Sequence, residues 1–367
     1  MSGKASAEFP LGKVAARAYR IPTDRPESDG TLEWDGTTLV VVHAEAGGRR
    51  GMGYSYGPAA AAGIVAGQLA GRVGGLDAMD VPRAWAVMLE AIRNDGEDGP
   101  AMMAVSALDA ALWDLKARLL DVPLARLLGR VRESVPVYGS GGFTSYTERE
   151  LREQLGGWAS EGIPRVKMKI GRDPEADPDR VRAARRAIGP RVELFVDANG
   201  AYDRKQALAM AEELAELGVS WYEEPVWHRD LEGLRLLRDR APAGMEVAAG
   251  EYGFNLPYFR HMLEAGAVDV LQADATRCGI SGFLEAGTLC CARGLPFSSH
   301  CAPSLHLHPA CAVRELRHVE YFHDHVRIER MLFDGAAGPV GGALRPDMAR
   351  PGLGLELKSA DARRYEV

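Results

Sequence analysis

From about Val135 onward, short apolar runs alternate with stretches whose apolar positions recur every three or four residues. The strand candidates are Val135–Ser140, Arg165–Ile170, Glu193–Asp197, Val219–Glu223, Glu246–Gly250, Val268–Gln272, Leu295–Ser299 and His318–Tyr321. Amphipathic helical patterns such as PDRVRAARRAI and RKQALAMAEELAELG lie between them. Strands separated by helices predict right-handed βαβ units and a parallel sheet. Eight strands, spaced by roughly 20–30 residues, predict an α/β fold of the (β/α)8-barrel type.

The texture before that point differs. A strand-like run, Leu39 to Gly48, is followed by the Gly/Tyr-rich GMGYSYG, Gly51 to Gly57, and then by helical spacing over Pro100 to Leu120. Gly129 marks a stop after LARLLG. The pattern predicts an α+β capping unit over residues 1–130 and the barrel over residues 131–335. A Pro- and Gly-rich segment, residues 336–367, is expected to pack back on the capping unit, because its apolar residues need cover.

Composition narrows the picture. Of 367 residues, 46% are hydrophobic and 26% charged, which suits a globular chain. The net charge of −7 disfavours a nucleic-acid or anionic-membrane partner. The opening MSGKASAEFP lacks the apolar core of a leader. No apolar run is long and uncharged enough to suggest a membrane span. Five cysteines, an odd number with no C-x-x-C pair, suit reduced thiols in a cytoplasm.

The candidate chemistry lies where the strands end. In order, those ends carry Lys167 and Lys169, Asp197, Glu223, Glu251, Asp274, His300 and Glu320. In a (β/α)8 barrel they converge on the face where catalytic groups gather. Asp197 in VDANG, Glu223 in YEEP and Glu251 in GEY place three carboxylates on successive strands, with Asn199 on the face of Asp197. Three hard oxygen donors suit Mg2+, and the lack of Cys or His among them argues against zinc. Any one acid alone could equally be a helix cap or a solvated loop charge.

In PRVKMKIG, Lys167 and Lys169 share one strand face, opposite Val166, Met168 and Ile170. A lysine held near a divalent ion and a second cation binds its proton less tightly and can act as a general base. Two solvated surface lysines would give the same pattern. Asp274 and His300 end consecutive strands, and a carboxylate beside a histidine fixes its tautomer. Polar residues that could read a polyol include Trp34 in PTDRPESDGTLEWDG, Tyr54 in GMGYSYG, and Ser140, Thr144 and Arg277 near strand ends. Cys301, His306, His308 and Cys311 match no common zinc spacing. His323 and His325 follow the last strand and could line the pocket or be solvated.

These motifs together resemble the enolase superfamily, and within it the mandelate racemase-like subgroup. SALDAALWDLKARLLDVPLARLLG looks like the helix leading into that family's barrel. VKMKIG looks like its Lys-x-Lys strand, VDANG, YEEP and GE like its metal strands, and DATRCG with SSH like its Asp–His dyad. The resemblance implies Mg2+-dependent removal of the α-proton of a carboxylate through an enediolate. It assigns Lys169 as base on one face, with Lys167 depressing its pKa and neutralising the carboxylate. It assigns His300, held by Asp274, as acid/base on the other face, and Glu320, if protonated, as a donor to the developing oxyanion. Dehydration of a sugar acid to a 2-keto-3-deoxy acid is the expected outcome. Racemisation or epimerisation of a 2-hydroxy acid is the alternative. Cycloisomerisation and non-catalytic binding are further from the pattern, the former because Asp274 and Arg277 stand where a lysine is usual. Members of this family are usually multimers, so a homo-oligomer is implied.

Overall fold

The computed structural model describes residues 8–367. Residues 1–7, which begin both the stretch read for leader character and the expected capping unit, lie outside the described residues. Strands β1 (Val14–Ser28), β2 (Glu33–Ala46) and β3 (Arg49–Tyr56) form an antiparallel sheet in that order. Alternation along β2 decides its two faces. Val40, Val42 and Ala44 pack with the helices Val81–Ile92 and Gly99–Leu119, whereas Leu39 and Val41 join the core shared with the barrel.

GMGYSYG, which carries the candidate Tyr54, is no loop but the body of β3. A Cβ on Gly51 or Gly53 would lie 2.3 Å from the carbonyl oxygen of Ala111 or Ala107. The glycines therefore let the helix 99–119 lie directly on the strand. Met52, Tyr54 and Tyr56 alternate with them and face the barrel-side core. PTDRPESDGTLEWDG is likewise no free loop. It forms the ends of β1 and β2 around a turn, with irregular register between Pro22 and Glu27.

Eight parallel strands close the barrel: β4 (Val135–Gly141), β5 (Arg165–Lys169), β6 (Glu193–Asp197), β7 (Val219–Glu223), β8 (Glu246–Ala249), β9 (Val270–Ala273), β10 (Phe297–Ser299) and β11 (Leu316–Phe322). Pairing of β11 with β4 completes the ring. β9 and β10 each begin two residues later than expected, because Val268 and Leu295 pack on the outer core without joining the ladder. Val166, Met168 and Ile170 face that outer core. Tyr138, Phe195, Trp221, Ala248 and Val270 fill the barrel interior beneath the functional groups.

The C-terminal segment makes contacts in two directions. Strand β12 (Phe333–Asp334) pairs with β14 (Glu356–Leu357), while β13 (Ala343–Leu344) extends the barrel sheet by pairing antiparallel with β4. Its end reaches the sheet of β1 to β3, where the Val367 amide donates to Ala18 and Arg17 holds Glu366 at 2.7 Å. Among the described residues no helix is long and apolar enough to cross a membrane.

Candidate active site

Each interior polar group reaches the barrel mouth because its strand ends there. Lys167 and Lys169 occupy inward positions of β5, Asp197 is the last residue of β6 and Glu223 the last of β7. Glu251 follows β8 after Gly250, whose φ of 133° turns the chain. All five side chains are almost fully buried. One carboxylate oxygen each from Asp197, Glu223 and Glu251 lies within 4.8 Å of the others.

Charge in so small a volume has to be balanced. Lys169 Nζ lies 2.5 Å from Asp197 Oδ2. Lys167 Nζ lies 2.5 Å from Glu223 Oε1 and 2.8 Å from Glu320 Oε1. Glu251 Oε2 has no hydrogen-bond donor, although His300 Nε2 approaches it at 3.3 Å. Burial and crowding by Asp197 push the Glu223 carboxyl up against the pull of Lys167. A row of oxygen donors with one oxygen unserved and its charge incompletely balanced fits a hard divalent cation.

The second acid/base group is built from neighbouring strands. His300 follows β10, and its Nδ1 sits 2.9 Å from Asp274 Oδ2. Asp274 caps the helix Ala275–Arg293, its Oδ1 accepting from the Thr276 amide. The carboxylate therefore holds one ring nitrogen and leaves Nε2 facing the mouth. Burial opposes protonation of His300, but Glu251, the Asp274 hydrogen bond and Glu320 outweigh it and raise its pKa. Burial likewise opposes ionisation of Asp274, and the His300 hydrogen bond and charge outweigh it. Lys169 touches the Asp197 end of the carboxylate row and His300 the Glu251 end. The two candidate bases thus flank the same three acids.

The charges of Lys169 and Glu320 depend on groups from several strands. Lys167 does oppose protonation of Lys169, as does burial, but Asp197, Glu251 and Glu223 outweigh both and hold its pKa up. Without a cation, the neighbours of Glu320 favour its ionised form. Burial favours its neutral form, yet Lys167, His300 and Lys169 hold the carboxyl well below the usual range, and it accepts from the Cys301 amide at 2.6 Å.

The expected substrate contacts divide. Ser140 is buried beside Lys167 in the barrel register, and its hydroxyl has no partner. Asn199 has a φ of 47°, and its buried Oδ1 is also unpartnered. Trp34 packs edge-on against Phe143 at 5.7 Å, joining Phe322 and Cys301 in an apolar roof. Tyr54 is a correction: it is fully buried, and its hydroxyl donates to Glu329 at 2.6 Å, between cap and barrel. Arg277 is another. Its guanidinium donates to the Glu251 carbonyl at 2.7 Å and lies 4.6 Å above the Tyr252 ring, so it braces Glu251 from behind. Thr144 is taken up by Ser28 and the Asp29 carbonyl.

His306 and His308 accept from the Ala275 and Ala125 amides, which leaves no zinc cluster with Cys301 and Cys311 among the described residues. His325 stacks on Tyr56 at 3.5 Å and accepts from the Ala302 amide, and burial pushes its pKa down to about 3. The sequence reading missed Glu224 and weighed Cys301 only as a zinc ligand. Strand alternation sends Glu224 away from Glu223, but a φ of 38° returns it to the interior, where burial and Glu251 raise its pKa strongly. Cys301 Sγ lies 3.2 Å from His300 Nε2. No period in the sequence marks either residue.

A family model described as mandelate racemase / muconate lactonizing enzyme, N-terminal domain, matches residues 22–129. A second, described as enolase C-terminal domain-like, matches residues 150–362. The chain belongs to the mandelate racemase/muconate lactonizing enzyme family. Within that family, it is 34% identical over 270 residues to the D-galactarolactone cycloisomerase of Agrobacterium fabrum, covering 71% of this chain and 70% of that protein. Identity to the 3,6-anhydro-alpha-L-galactonate cycloisomerase of Streptomyces coelicolor is 32%, over 95% and 97% of the two chains. For the L-talarate/galactarate dehydratase of Salmonella typhimurium it is 33%, over 90% and 83%. Among solved structures, a family-like protein from Rubrobacter xylanophilus superposes with a TM-score of 0.96 at 59% identity, over 98% and 100% of the chains. The Salmonella dehydratase, liganded with Mg and L-lyxarohydroxamate, superposes with a TM-score of 0.89 at 28% identity, over 100% and 96%. The family's relatives thus include both lyases and isomerases that act on sugar acids.

Proposed function

We propose that this chain removes the α-proton of a sugar-acid carboxylate and eliminates the β-hydroxyl as water, giving a 2-keto-3-deoxy acid. The observation that carries this reading is the pair of nitrogen bases at opposite ends of one carboxylate row, Lys169 on Asp197 and His300 on Glu251. Asp197, Glu223 and Glu251 would hold Mg2+, as their all-oxygen donor set favours. A cation there would supply Lewis-acid polarisation of the substrate carboxylate and would offset the acidic charge around Lys169. Lys169 Nζ then accepts the α-proton on its face. Lys167, buried and ionised, donates to a carboxylate oxygen as charge builds there. Glu320 anchors that ammonium and the His300 ring rather than donating a proton. His300, its Nδ1 fixed by Asp274, delivers the Nε2 proton to the departing hydroxyl. Ser140 and Asn199, each with an unpartnered polar atom, would read substrate hydroxyls.

A second reading is cycloisomerisation of a lactone or anhydro sugar acid, favoured by the two cycloisomerase relatives at 34% and 32% identity. In that case the same bases act, and the group that departs with His300's proton is a ring oxygen. Racemisation needs only the return of a proton from the opposite face. A screen of acid sugars, lactones and anhydro acids with Mg2+ separates the three. It detects 2-keto-3-deoxy products, ring-opened isomers and solvent deuterium at C2. Release of a 2-keto-3-deoxy acid lighter than its substrate by one water supports dehydration, because loss of a ring oxygen gives such an acid with composition unchanged. Isomers of unchanged composition, or C2 exchange with no elimination, replace it with one of the other two.

A further inference from the structure

We propose that Asp24, Glu27 and His323 form a second divalent-cation site at the rim, for a borderline ion such as Zn2+, tying the cap's first strand to the barrel's last. Asp24 and Glu27 lie in or beside the irregular stretch of β1, and His323 immediately follows β11. One donor atom from each lies within 4.8 Å of the others. His323 Nε2 is 3.2 Å from both oxygens of Asp24, so donors from cap and barrel already converge.

Glu27 is the independent observation. Its side chain is 0% exposed. Oε2 accepts from Trp34 Nε1 at 2.7 Å, but the buried Oε1 has no partner. A buried carboxylate oxygen without a donor is costly unless a cation or proton serves it. The neighbouring arginines are committed elsewhere. Arg25 pairs with Glu150, and Arg327 holds Asp324 and the Pro22 carbonyl. No Lys or Arg lies within 4.0 Å of the Asp24 or Glu27 carboxylate among the described residues, and His323 is the only basic group that Asp24 meets.

The donor set decides the ion. The barrel trio offers only oxygen, whereas the rim offers one imidazole nitrogen and two carboxylates, which suits Zn2+ or Co2+ over Mg2+. Three protein donors leave a fourth position for water. Such an ion would join strands separated by almost 300 positions in sequence, next to Trp34 in the roof over His300. The inference does not rest on which reaction the barrel performs.

The test titrates Co2+ into the full chain in saturating Mg2+ and follows visible d–d absorption and bound metal per chain. One equivalent is expected beyond the Mg2+ site, and Zn2+ should displace it. His323 is partly exposed, so His323→Gln should fold normally, as checked by circular dichroism, and bind that equivalent at least about tenfold more weakly. Glu27→Gln should do the same. Glu251→Gln, which alters only the barrel trio, should keep it. Absence of a Co2+ equivalent in saturating Mg2+ overturns the site. So does an equivalent that survives in the Glu27→Gln, His323→Gln double variant or disappears in Glu251→Gln.

Discussion

Replacing Gly250 by alanine tests how the backbone sets the carboxylate row. Gly250 has a φ of 133°, a region open to glycine and costly for any residue with a Cβ. A Cβ there would lie 2.1 Å from the Gln272 carbonyl oxygen and 3.0 Å from its carbon and nitrogen. These are backbone atoms at the end of β9 and cannot rotate away. Relief requires either a changed dihedral at Gly250 or separation of the β8 and β9 ends, and both displace Glu251. The backbone strain costs about 1–3 kcal/mol, and overpacking a tight site adds about 1–3 kcal/mol. Unfolding entropy of about 2.1 cal/mol/K per residue converts a loss of roughly 2–6 kcal/mol into a melting-temperature drop of roughly 3–8 °C if the chain unfolds as one unit. Calorimetric melting and isothermal titration with Mg2+ measure both consequences. Gly63→Ala, in a helix where a Cβ meets nothing within 4 Å, is the control and should melt no lower than wild type. A Gly250→Ala protein that melts within 1 °C of wild type, by the same order-of-magnitude conversion, and binds Mg2+ with unchanged affinity would refute the argument.

Other consequences are equally open to measurement. Lys169→Ala and His300→Asn should each lower turnover of the preferred acid by about 10²-fold or more; steady-state rates at wild-type level would remove the residue from its role. Chelation should abolish activity and Mg2+ restore it, with full turnover of metal-stripped protein counting against the carboxylate row. Burial and crowding raise Glu223 and Glu224, so protons compete with the cation. Apparent Mg2+ affinity should therefore rise with pH, and calorimetry in buffers of different ionisation enthalpy should detect proton release; a flat profile contradicts this. Burial and Asp324 push Glu27 from 4.5 up to about 8. The folded state then holds a proton that the unfolded state releases, so stability is full below about 4.5 and declines as pH rises toward about 8. In chelator, Glu27→Gln should be more stable than wild type at pH 9 by on the order of a few kcal/mol, as read by calorimetric melting, and lose that advantage near pH 5. A constant difference across that range would show that Glu27 carries no buried-charge penalty.

Periodicity and strand-end chemistry were enough to read the barrel. Lys167 and Lys169 alternate with Val166, Met168 and Ile170, and a period of two admits only one inward face. Asp197 and Glu223 end apolar runs, and parallel topology alone brings such ends together. Tertiary structure decided the rest. Tyr54 and Ser140 look alike as polar residues near strands, but only packing shows that Tyr54 is committed to Glu329 while the Ser140 hydroxyl is unpartnered. The glycines of β3 became intelligible once the helix above them was placed. The charge states of Lys169 and Glu320 depend on carboxylates and ammonium groups contributed by distant strands. Glu224 enters through one positive φ, and Glu27 meets His323 only because the cap closes over the barrel. A local pattern can encode which way a side chain points from its own strand. Through-space distances set proton affinities and shared ligands, and those distances exist only after the chain has folded.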